Sequence, residues 1–537
     1  MKKSVILLVI CFLALSFSIV SASQLKVTSE HPFLVNNEWI PASQLQVGDS
    51  LKTIDGKQVV IKNITEVDER VEVYNLHVNN VENYFANDVL VHNKLLIGLF
   101  TDDFGKVFEY TAANNLGKIG AVKRAAKEVP AYKKFLEEKG INPDEINIKN
   151  WEEMVPILDK EDLFPPGFNQ ETDLSRLCVG GNLKGVVFIF KSSGSSGKLF
   201  AYGVMTEKNV VFVRELADAL FGDFFNTKAK KTIVINALSN VEFQTSLPTS
   251  STGVKSDLVL NKVKGSCQQV IIVADPYFAA EIVRAGSKSG IKWENRDVSF
   301  VVGGQWFSNS HANYLKSKGA KNVIANMGAS ELGLALFYET PELARVRNLI
   351  QNNRAAMKAL FGDQKASPEI MYYDPNRIFA EVINKGERGV GEMVVTTLQP
   401  EKEPMIRYNT HDLVMILTPS EFKQKLASHG IEANPEFNQP IVAVIGRDQK
   451  VNINGRMIMP QEVNEAIYRD VDLVDKITGY FKLTEEGIDI QLNQGEEAGP
   501  VKAMAGETLR NFFGFDIPVK VSPYSPPDWT RKFNFAG

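Results

Sequence analysis

The sequence predicts an α/β protein in which a large α/β domain is followed by a small mobile α+β unit and preceded by a short all-β unit. The chain has 537 residues, more than a single domain of roughly 100 to 200 residues contains. From Val107 onward, apolar runs typical of buried strands alternate with helical patterns, and such alternation favours a sheet covered by helices on both faces. We expect four segments, with bounds 1–23, 24–93, 94–445 and 446–537.

The composition is that of a globular protein, because 44% of the residues are hydrophobic and 23% are charged. The formal net charge of -4 gives no electrostatic reason to expect nucleic acid, since binding phosphates requires a surplus of Lys and Arg on one face. Cys11, Cys178 and Cys267 show no spacing typical of a zinc site or a disulfide framework. We expect free thiols and a small-molecule partner.

The first segment has the pattern of a cleaved export signal. Lys2 and Lys3 precede an apolar run from Val5 to Val20, and small residues follow at 21–23. The alternative is an uncleaved anchor helix, because this stretch approaches the roughly 20 apolar residues that span a bilayer. No later segment is apolar enough to span one, so we expect membrane contact through this leader alone.

The second segment is predicted to be a small all-β unit. It is rich in Val, Asn and Thr, with apolar positions alternating at Val59, Ile61 and Ile64 and a turn signal at Asp55-Gly56. Three of its stretches, "TSEHPF" at 28–33, "WIPASQLQVGD" at 39–49 and "VYNLHVNNVENYFANDVLVHN" at 73–93, resemble the Hint fold of inteins, hedgehog autoprocessing domains and pre-toxin proteins.

The Hint resemblance implies roles in self-cleavage for His31, which would polarise the first scissile amide, and for His92 and Asn93, which would cyclise the asparagine. The block with the Cys or Ser nucleophile is missing, so we expect the splicing route to be closed. Glu82 also stands where inteins usually have a His, and Lys94 follows where splicing needs Cys, Ser or Thr. Cleavage after Asn93 and a degenerate remnant both stay open.

The large segment contains four apolar runs that we predict as strands and a helical pattern from Ala121 to Glu138. The predicted strands are Val186–Phe190, Thr232–Ile235, Val270–Val273 and Val298–Val302. A second change of pattern falls near Gly446, after which a smaller α+β unit is expected.

The run "KSSGSSGK" at 191–198 directly follows the strand pattern "GVVFIF". Its glycines and serines can place backbone N–H groups and hydroxyls around phosphate oxygens, and Lys198 adds a positive charge. It is not a Walker A loop, because Gly194 is too close to Gly197 and Leu199 replaces the Ser or Thr that holds magnesium. The alternative for this run is a flexible linker.

Seven motifs stand in order along the large and last segments. They are "PILDKEDL" at 156–163, "KSSGSSGK" at 191–198, "GGQWFS" at 303–308, "MGASELG" at 327–333, "GVGEMVVTTL" at 389–398, "IRYNTHDL" at 406–413 and "GRDQKVNINGRMIMPQEV" at 446–463. Taken together, and in this order, they resemble the adenylate-forming superfamily, specifically its phenylacetate-CoA ligase-like branch. The resemblance covers residues 100 to 537.

The resemblance implies a role for each motif in binding ATP. Glu331 would hold Mg²⁺ as a hard oxygen ligand, and Asp412 would accept hydrogen bonds from the ribose hydroxyls. Taken singly, Glu331 is typical of a solvated helix residue, Asp412 of a turn or helix cap and Arg407 of a surface cation, and His411 is treated as incidental. The implied nucleotide-binding residues are Ser192, Ser193, Gly194, Ser195, Ser196, Gly197 and Lys198 for the phosphates, Gly303, Gly304 and Gln305 for the adenine, and Asp412, Arg407 and Arg447.

The last segment would act as a mobile lid. Asp448 or Gln449 would be the hinge, because hinge residues absorb backbone changes without carrying chemistry. Lys532, in "DWTRKFNF" at 528–535, is the candidate for the catalytic lysine that stabilises the charge developing during adenylation. Relatives usually have Gly before that lysine and this chain has Arg531, so Lys520 is the alternative.

These residues predict an AMP-forming acid–thiol ligase with ATP, Mg²⁺ and CoA as cofactors. A carboxylic acid would attack the α-phosphate of ATP, and a thiol would then take the acyl group from the adenylate. One alternative is transfer to a carrier-protein thiol or another acceptor. The other is an exported autoprocessing protein whose ligase-like domain is a degenerate passenger, since the leader predicts export whereas ATP and CoA chemistry predicts a cytoplasmic enzyme.

Overall fold

The computed structural model places the described residues in two compact units, Met1–Thr101 and Asp102–Gly537. The described residues are 5–11, 22–28, 32–35, 38–52, 58–67, 83–86, 89–92, 106–164, 173–191, 201–239, 244–265, 267–329, 332–386, 388–398, 402–433, 439–447 and 449–535.

The first unit is an antiparallel β structure, as its alternating apolar positions predict. Its strands join in the order β2-β1-β6-β5-β3-β8-β7, with β4 added beside β3. Phe33, Leu51 and Ile61 are fully buried in it. The described strands are β1 (Val5–Cys11), β2 (Ala22–Thr28), β3 (Pro32–Val35), β4 (Glu38–Pro41), β5 (Ser50–Lys52), β6 (Gln58–Val67), β7 (Asn83–Ala86) and β8 (Val89–His92).

Strand β1 comes from the apolar run that the sequence assigns to an export signal. Along its whole length β1 pairs with β2 on one side and with β6 on the other, so that Val5 lies opposite both Thr28 and Val67. Cleavage behind residue 23 would remove this strand from the sheet. The strand and the cleaved signal are therefore alternatives, and a mass measurement distinguishes them.

The second unit is built around one large mixed sheet. Its described helices are α1 (Lys106–Glu128), α2 (Pro130–Glu138), α3 (Trp151–Met154), α4 (Lys160–Leu163), α5 (Glu207–Phe225), α6 (Ser256–Val263), α7 (Pro276–Lys288), α8 (Asn309–Ser317), α9 (Pro341–Gln351), α10 (Arg354–Phe361), α11 (Pro419–Ala427), α12 (Pro460–Ile467), α13 (Val471–Lys476) and α14 (Ala498–Phe513). Its described strands are β9 (Val186–Lys191), β10 (Tyr202–Thr206), β11 (Thr232–Asn236), β12 (Thr249–Ser251), β13 (Gln269–Ala274), β14 (Val298–Gly303), β15 (Val323–Ala329), β16 (Gly333–Tyr338), β17 (Glu369–Tyr373), β18 (Ile378–Ile383), β19 (Gly391–Thr397), β20 (Tyr408–Leu417), β21 (Ile441–Gly446), β22 (Val451–Ile453), β23 (Arg456–Ile458), β24 (Ile477–Thr484), β25 (Gly487–Leu492) and β26 (Val519–Ser522).

The large sheet has the strand order β12-β11-β13-β14-β15-β16-β17-β21-β20-β19-β18. The four strand pairs from β12–β11 to β14–β15 are parallel, and the pairs from β15–β16 onward are antiparallel. The predicted strands at 232–235, 270–273 and 298–302 are confirmed as β11, β13 and β14. Every residue of β13 is buried, as expected of a parallel strand that is covered on both faces.

Two predictions for this unit differ from the structure. Strand β9 lies outside the large sheet in a hairpin with β10, and the side chains of Val187 and Ile189 are 51% and 53% exposed, so it is not a buried strand. The helix predicted over 121–138 is two helices, because Val129 adopts an extended conformation and Pro130 begins α2. Proline disfavours helical backbone in the residue before it and has no N–H to donate.

Strand β21 ends at Gly446, and the described residues that follow lie outside the large sheet. Strands β24, β25 and β26 form a small sheet of their own. Helix α12 packs against α8, where the backbone N–H and hydroxyl of Ser310 donate to the buried Glu465 carboxylate at 2.9 and 2.6 Å. The hydroxyl of Tyr314 donates to Asp475 at 2.7 Å. The C-terminal region is therefore held on α8 by polar contacts, several of them buried.

Two properties concern the chain as a whole. Of the helices in the described ranges, none has both the length and the apolar character needed to cross a bilayer. Cys178 is buried and Cys267 is half-buried, and both are free thiols, as the absence of any paired cysteine spacing predicts.

Candidate functional site

The centre of the candidate site is loop 303–308, which connects β14 to α8. A Cβ at Gly303 would lie 2.4 Å from the carbonyl oxygen of Asn326 in the neighbouring β15, and Gly304 has a φ of +94°. Both positions therefore need glycine. The loop runs at the carboxyl ends of the parallel strands, which is where ligands bind in open α/β sheets.

Gln305 is bound at both ends of its side chain. Its Nε2 donates to Oδ2 of Asp275 at 2.6 Å, and its Oε1 accepts from the backbone N–H of Phe533 at 2.7 Å. The other oxygen of Asp275, Oδ1, caps helix α7 by accepting from the N–H groups of Tyr277 and Phe278 at 2.9 and 3.3 Å. Gln305 thus connects a helix N-terminus to the C-terminal end of the chain.

Asp275 is a half-buried carboxyl group whose pKa depends on several neighbouring groups. Burial raises its pKa to about 6, and the hydrogen bond from Gln305, the two backbone N–H groups and the positive charge of Lys532 oppose the rise. The structure therefore places Lys532 close enough to Asp275 to act on it electrostatically. Sequence reasoning missed Asp275, although its position between strand β13 and Pro276 is typical of a helix cap.

The far end of the same loop contacts a buried carboxyl group, that of Glu369. The backbone N–H of Phe307 donates to Oε1 of Glu369 at 2.9 Å. Burial raises the pKa of Glu369 to about 8, although the Phe307 N–H and the Arg347 charge lower it, and the Glu339 and Asp412 charges raise it further. Glu369 therefore contacts loop 303–308 and is close enough to Asp412 for that charge to raise its pKa. Sequence reasoning missed it, because a Glu that opens a strand carries no motif.

Asp412 and Arg447 lie together at one end of the antiparallel part of the sheet. Pairing of Leu413 with Gly446 brings β20 beside the end of β21, and Nε of Arg447 is then 3.3 Å from Oδ1 of Asp412. The side chains are 17% and 44% exposed, so both can reach a ligand. The motifs assign Asp412 to the ribose and Arg447 to nucleotide binding, and both assignments stay predictions.

Arg407 is used inside the protein, although the motif assigns it to the nucleotide and the alternative was a surface cation. The surface interpretation is wrong, because only 4% of Arg407 is exposed. Its Nη1 donates to the carbonyl oxygens of Glu152 and Val155 at 3.0 and 2.6 Å. Its Nε lies 3.3 Å from Oε2 of the equally enclosed Glu381. The guanidinium thus joins strand β20 to the region around helix α3.

His411, which sequence reasoning set aside, lies between two carboxylates next to Asp412. Its Nδ1 is 3.0 Å from Oε2 of Glu392, and its Nε2 is 3.0 Å from Oδ1 of Asp159. The backbone of His411 has a φ of +57°, a left-handed conformation that side chains rarely adopt. His411 therefore fixes the turn that presents Asp412, and the sequence alone gave no sign of this conformation.

Several predicted site residues lie outside the described residues. These are Ser192, Ser193, Gly194, Ser195, Ser196, Gly197, Lys198, Glu331, Asp448, His31 and Asn93. The backbone of His92 ends strand β8 opposite Asn83. Lys520, the alternative to Lys532, is an exposed residue whose Nζ contacts Oε2 of Glu486 at 2.6 Å.

The described residues contain no group of three or more His, Cys, Asp or Glu side chains placed to hold a metal ion. The predicted ligand for Mg²⁺, Glu331, lies outside them. An ion delivered as the Mg–ATP complex needs few protein ligands, because Mg²⁺ in such sites is bound mainly by phosphate oxygens and water.

Residues 8–94 match the family model of the pretoxin HINT domain. The match begins within the predicted leader and ends one residue after Asn93, so it covers the segment in which the Hint motifs were found. No curated protein is significantly similar to the chain.

Among solved structures, the chain is similar to 2-hydroxyisobutyryl-CoA ligase in the postadenylation state. In complex with R3-HIB-AMP that ligase matches at 14% identity and a TM-score of 0.57, covering 87% of this chain and 94% of that one. The complex with 2-HIB-AMP gives the same identity and TM-score over 86% and 94%. ATP-bound MatB from Rhodopseudomonas palustris matches at 12% identity and a TM-score of 0.38 over 63% and 65%. As the motifs predict, the chain combines a segment that matches the pretoxin HINT family with a long region that has the fold of the AMP-forming CoA ligases.

Proposed function

We propose that the second unit activates a carboxylic acid with ATP to give an acyl adenylate and then transfers the acyl group to the thiol of CoA. The observation that carries the proposal is the clustering of predicted site residues around loop 303–308. Gln305 accepts a hydrogen bond from the N–H of Phe533, the residue after Lys532. Phe307 donates to Glu369, and the nearby charge of Asp412 raises the pKa of Glu369. The ligase fold of the same region supports it further.

In the first step, a carboxylate oxygen of the acid attacks the α-phosphorus of Mg–ATP. An O–P bond forms, the bond to the β-phosphate oxygen breaks, and pyrophosphate leaves. Asp412 would accept hydrogen bonds from the ribose hydroxyls, and the backbone at Gly303 and Gly304 would line the adenine. Lys532 would stabilise the charge on the α-phosphate and the attacking oxygen, which is where a fixed cation lowers the barrier most.

The same step needs groups that the described residues do not include. Ser192 to Lys198 would surround the β- and γ-phosphates with N–H groups and hydroxyls. Glu331 would add a carboxylate oxygen to the magnesium of the Mg–ATP substrate. Both assignments rest on the motifs.

In the second step, the thiolate of CoA attacks the acyl carbon of the adenylate, and AMP leaves with the bonding electron pair. Protein groups do not become covalently attached in either step. Transfer to a carrier-protein thiol is the alternative, because nothing in the motifs is specific for CoA. Aromatic acids are the preferred substrate class by resemblance to phenylacetate-CoA ligases, and small hydroxy acids are the next to test, because 2-hydroxyisobutyryl-CoA ligase has the same fold.

The test is an ATP–pyrophosphate exchange screen on the full chain with aromatic, hydroxy and fatty acids. We expect exchange with at least one acid, and a loss of about a hundredfold or more in Lys532→Ala, the magnitude typical of removing a group that stabilises transition-state charge. Glu331→Ala tests the predicted magnesium ligand in the same way. Lys520→Ala tests the alternative lysine, and Lys502→Ala is the matched control, because Lys502 is an exposed lysine of α14 in the same region.

Two outcomes decide the proposal. Exchange that depends on Lys532 or on Lys520, and not on Lys502, supports adenylation, and a further dependence of product formation on CoA supports thioester formation. If no acid supports exchange and ATP does not raise the melting temperature of the chain, the second unit is not an adenylating enzyme.

A second candidate is an autoprocessing protein, which the match of residues 8–94 to the pretoxin HINT domain favours. Asparagine cyclisation would release a fragment that begins at Lys94, and Asn93→Ala would prevent it. The intact mass of the expressed protein measures this directly. The same spectrum reports whether the leader is cut behind residues 21–23, since a chain that keeps β1 retains its first residues.

A further inference from the structure

The C-terminal tail, defined as residues 529–535, is held against the second unit by aromatic packing and backbone hydrogen bonds. The ring of Phe535 stacks on Phe481 with centroids 4.4 Å apart, and the N–H of Leu483 donates to the carbonyl oxygen of Phe535 at 2.7 Å. The ring of Phe533 packs against Tyr277 at 5.1 Å. These contacts fix Phe533, which directly follows Lys532, and Phe535, two residues further on.

One hydrogen bond joins this tail to loop 303–308. The N–H of Phe533 donates to Oε1 of Gln305, and Nε2 of Gln305 donates to Oδ2 of Asp275. Asp275 is itself fixed, because its other oxygen caps α7. A chain of hydrogen bonds therefore runs from the N-terminus of α7, through Asp275 and Gln305, to the residue next to Lys532.

We propose that Asp275 and Gln305 are positioning residues that hold the C-terminal tail, and with it Lys532, beside loop 303–308. The contacts described above are sufficient to argue that the tail is held in place. The consequence for catalysis rests on the proposed function. Gln305 is then the docking point for the lid in the state described here, with both ends of its amide used within the protein. Lining of the adenine is left to the backbone of Gly303 and Gly304.

The chain of hydrogen bonds from Asp275 through Gln305 to Phe533 is called the relay below. The direction in which each group of the relay donates explains why an acid is needed at position 275. A carboxylate can accept at both oxygens, so it orients the NH₂ group of Gln305 toward itself and the carbonyl oxygen toward the Phe533 N–H. In Asp275→Asn the amide oxygen would stay with the two helix N–H groups, and the new NH₂ group would point at Gln305. Gln305 would have to turn its own oxygen toward that donor, which leaves its NH₂ facing the Phe533 N–H, donor against donor.

The polarity argument also identifies a compensating change. In the double variant Asp275→Asn/Gln305→Glu, the new amide donates to one oxygen of the new carboxylate, and the other oxygen accepts from the Phe533 N–H. The double variant has the same number of side-chain atoms and one carboxylate, and it still presents a negative charge near Lys532. It should therefore restore the tail that the single variant releases.

The experiment is hydrogen exchange of the full chain, read by mass spectrometry on peptides that cover residues 529–535. We expect exchange in this segment to be about fivefold faster or more in Asp275→Asn and in Gln305→Ala, because losing one hydrogen bond changes an opening equilibrium by about that factor. The double variant should exchange within about twofold of the wild type, a range smaller than one hydrogen bond is worth.

A matched control is available in the same unit. Gln351 also uses both ends of its amide, donating to the carbonyl oxygen of Lys365 at 2.9 Å and accepting from the Ser367 N–H at 2.6 Å. Gln351→Ala removes an equivalent pair of hydrogen bonds at another place and should leave exchange of the tail unchanged. Peptides from α7 report whether a variant has disturbed the helix cap instead.

The results separate the relay from the enzymatic proposal. If Asp275→Asn exchanges like the wild type, or if the double variant fails to recover, the relay is refuted whatever the chemistry of the unit. In pyrophosphate exchange, the single variant should lower kcat without changing the KM for ATP, and the double variant should recover it. A wild type that supports no exchange refutes the proposed function alone, because the hydrogen-exchange arm does not depend on it.

Discussion

Glu369 gives a test of how far burial controls the electrostatics beneath loop 303–308. Burial raises the pKa of this carboxyl group from 4.5 to about 8, so the folded state binds the proton more tightly than the unfolded state. Its contribution to stability is therefore fully present below about pH 4.5 and is lost as the pH rises through about 8. At about 1.4 kcal/mol per pKa unit, ionising Glu369 in the folded protein costs up to about 5 kcal/mol.

Glu369→Gln mimics the protonated acid and keeps an oxygen for the Phe307 N–H. We expect this variant to match the wild type at pH 5 and to have the higher free energy of unfolding at pH 9, by as much as a few kcal/mol. Urea unfolding followed by tryptophan fluorescence measures it, since four of the five tryptophans lie in the second unit. The control is Glu486→Gln, a surface glutamate whose pKa is lowered by Lys520. An advantage of Glu369→Gln that is equal at both pH values would refute the reasoning.

Two further predictions use the same unfolding measurement. Gly446→Ala should destabilise the chain by about 2 kcal/mol or more, because Gly446 has a φ of +125° and a Cβ there would lie 1.9 Å from Nε2 of Gln461. Its control is Gly506→Ala, in open space within α14, which should stabilise the chain by about 0.5 to 1 kcal/mol. Equal effects of the two substitutions would contradict the steric argument. Arg407→Leu should cost about 3 kcal/mol, because it removes the guanidinium from the half-buried Glu381 carboxylate and from two carbonyl oxygens, although Nε1 of Trp151 still donates to Glu381. ATP should still raise the melting temperature of this variant, and loss of the ATP effect with stability intact would restore Arg407 to the nucleotide site.

The parallel half of the large sheet could be predicted because its strands are continuous apolar runs. In β11, β13 and β14 the residue pattern alone determines burial, and the predicted and observed bounds differ by a residue or so at each end. Strand β9 has an equally apolar pattern and yet lies outside the large sheet, in a hairpin with one exposed face. Apolar runs predict strands, and they do not predict which sheet a strand joins, because joining depends on the partner that tertiary structure supplies.

The candidate site divides in the same way between what local sequence determines and what the fold determines. Gly303 and Gly304 meet local steric demands that only glycine satisfies, and their assignment to the adenine stays a prediction. The contacts of Gln305 could not be predicted, because its partners lie 30 residues before it and 228 residues after it. The orientation of a side-chain amide depends on its neighbours. Here the carboxylate of Asp275 accepts from the NH₂ group of Gln305, so the amide oxygen faces the N–H of Phe533. The motif at 303–308 therefore contains Gln305, the residue that contacts the C-terminal tail, but it does not reveal this contact. The contact depends on Asp275, which lies in none of the motifs.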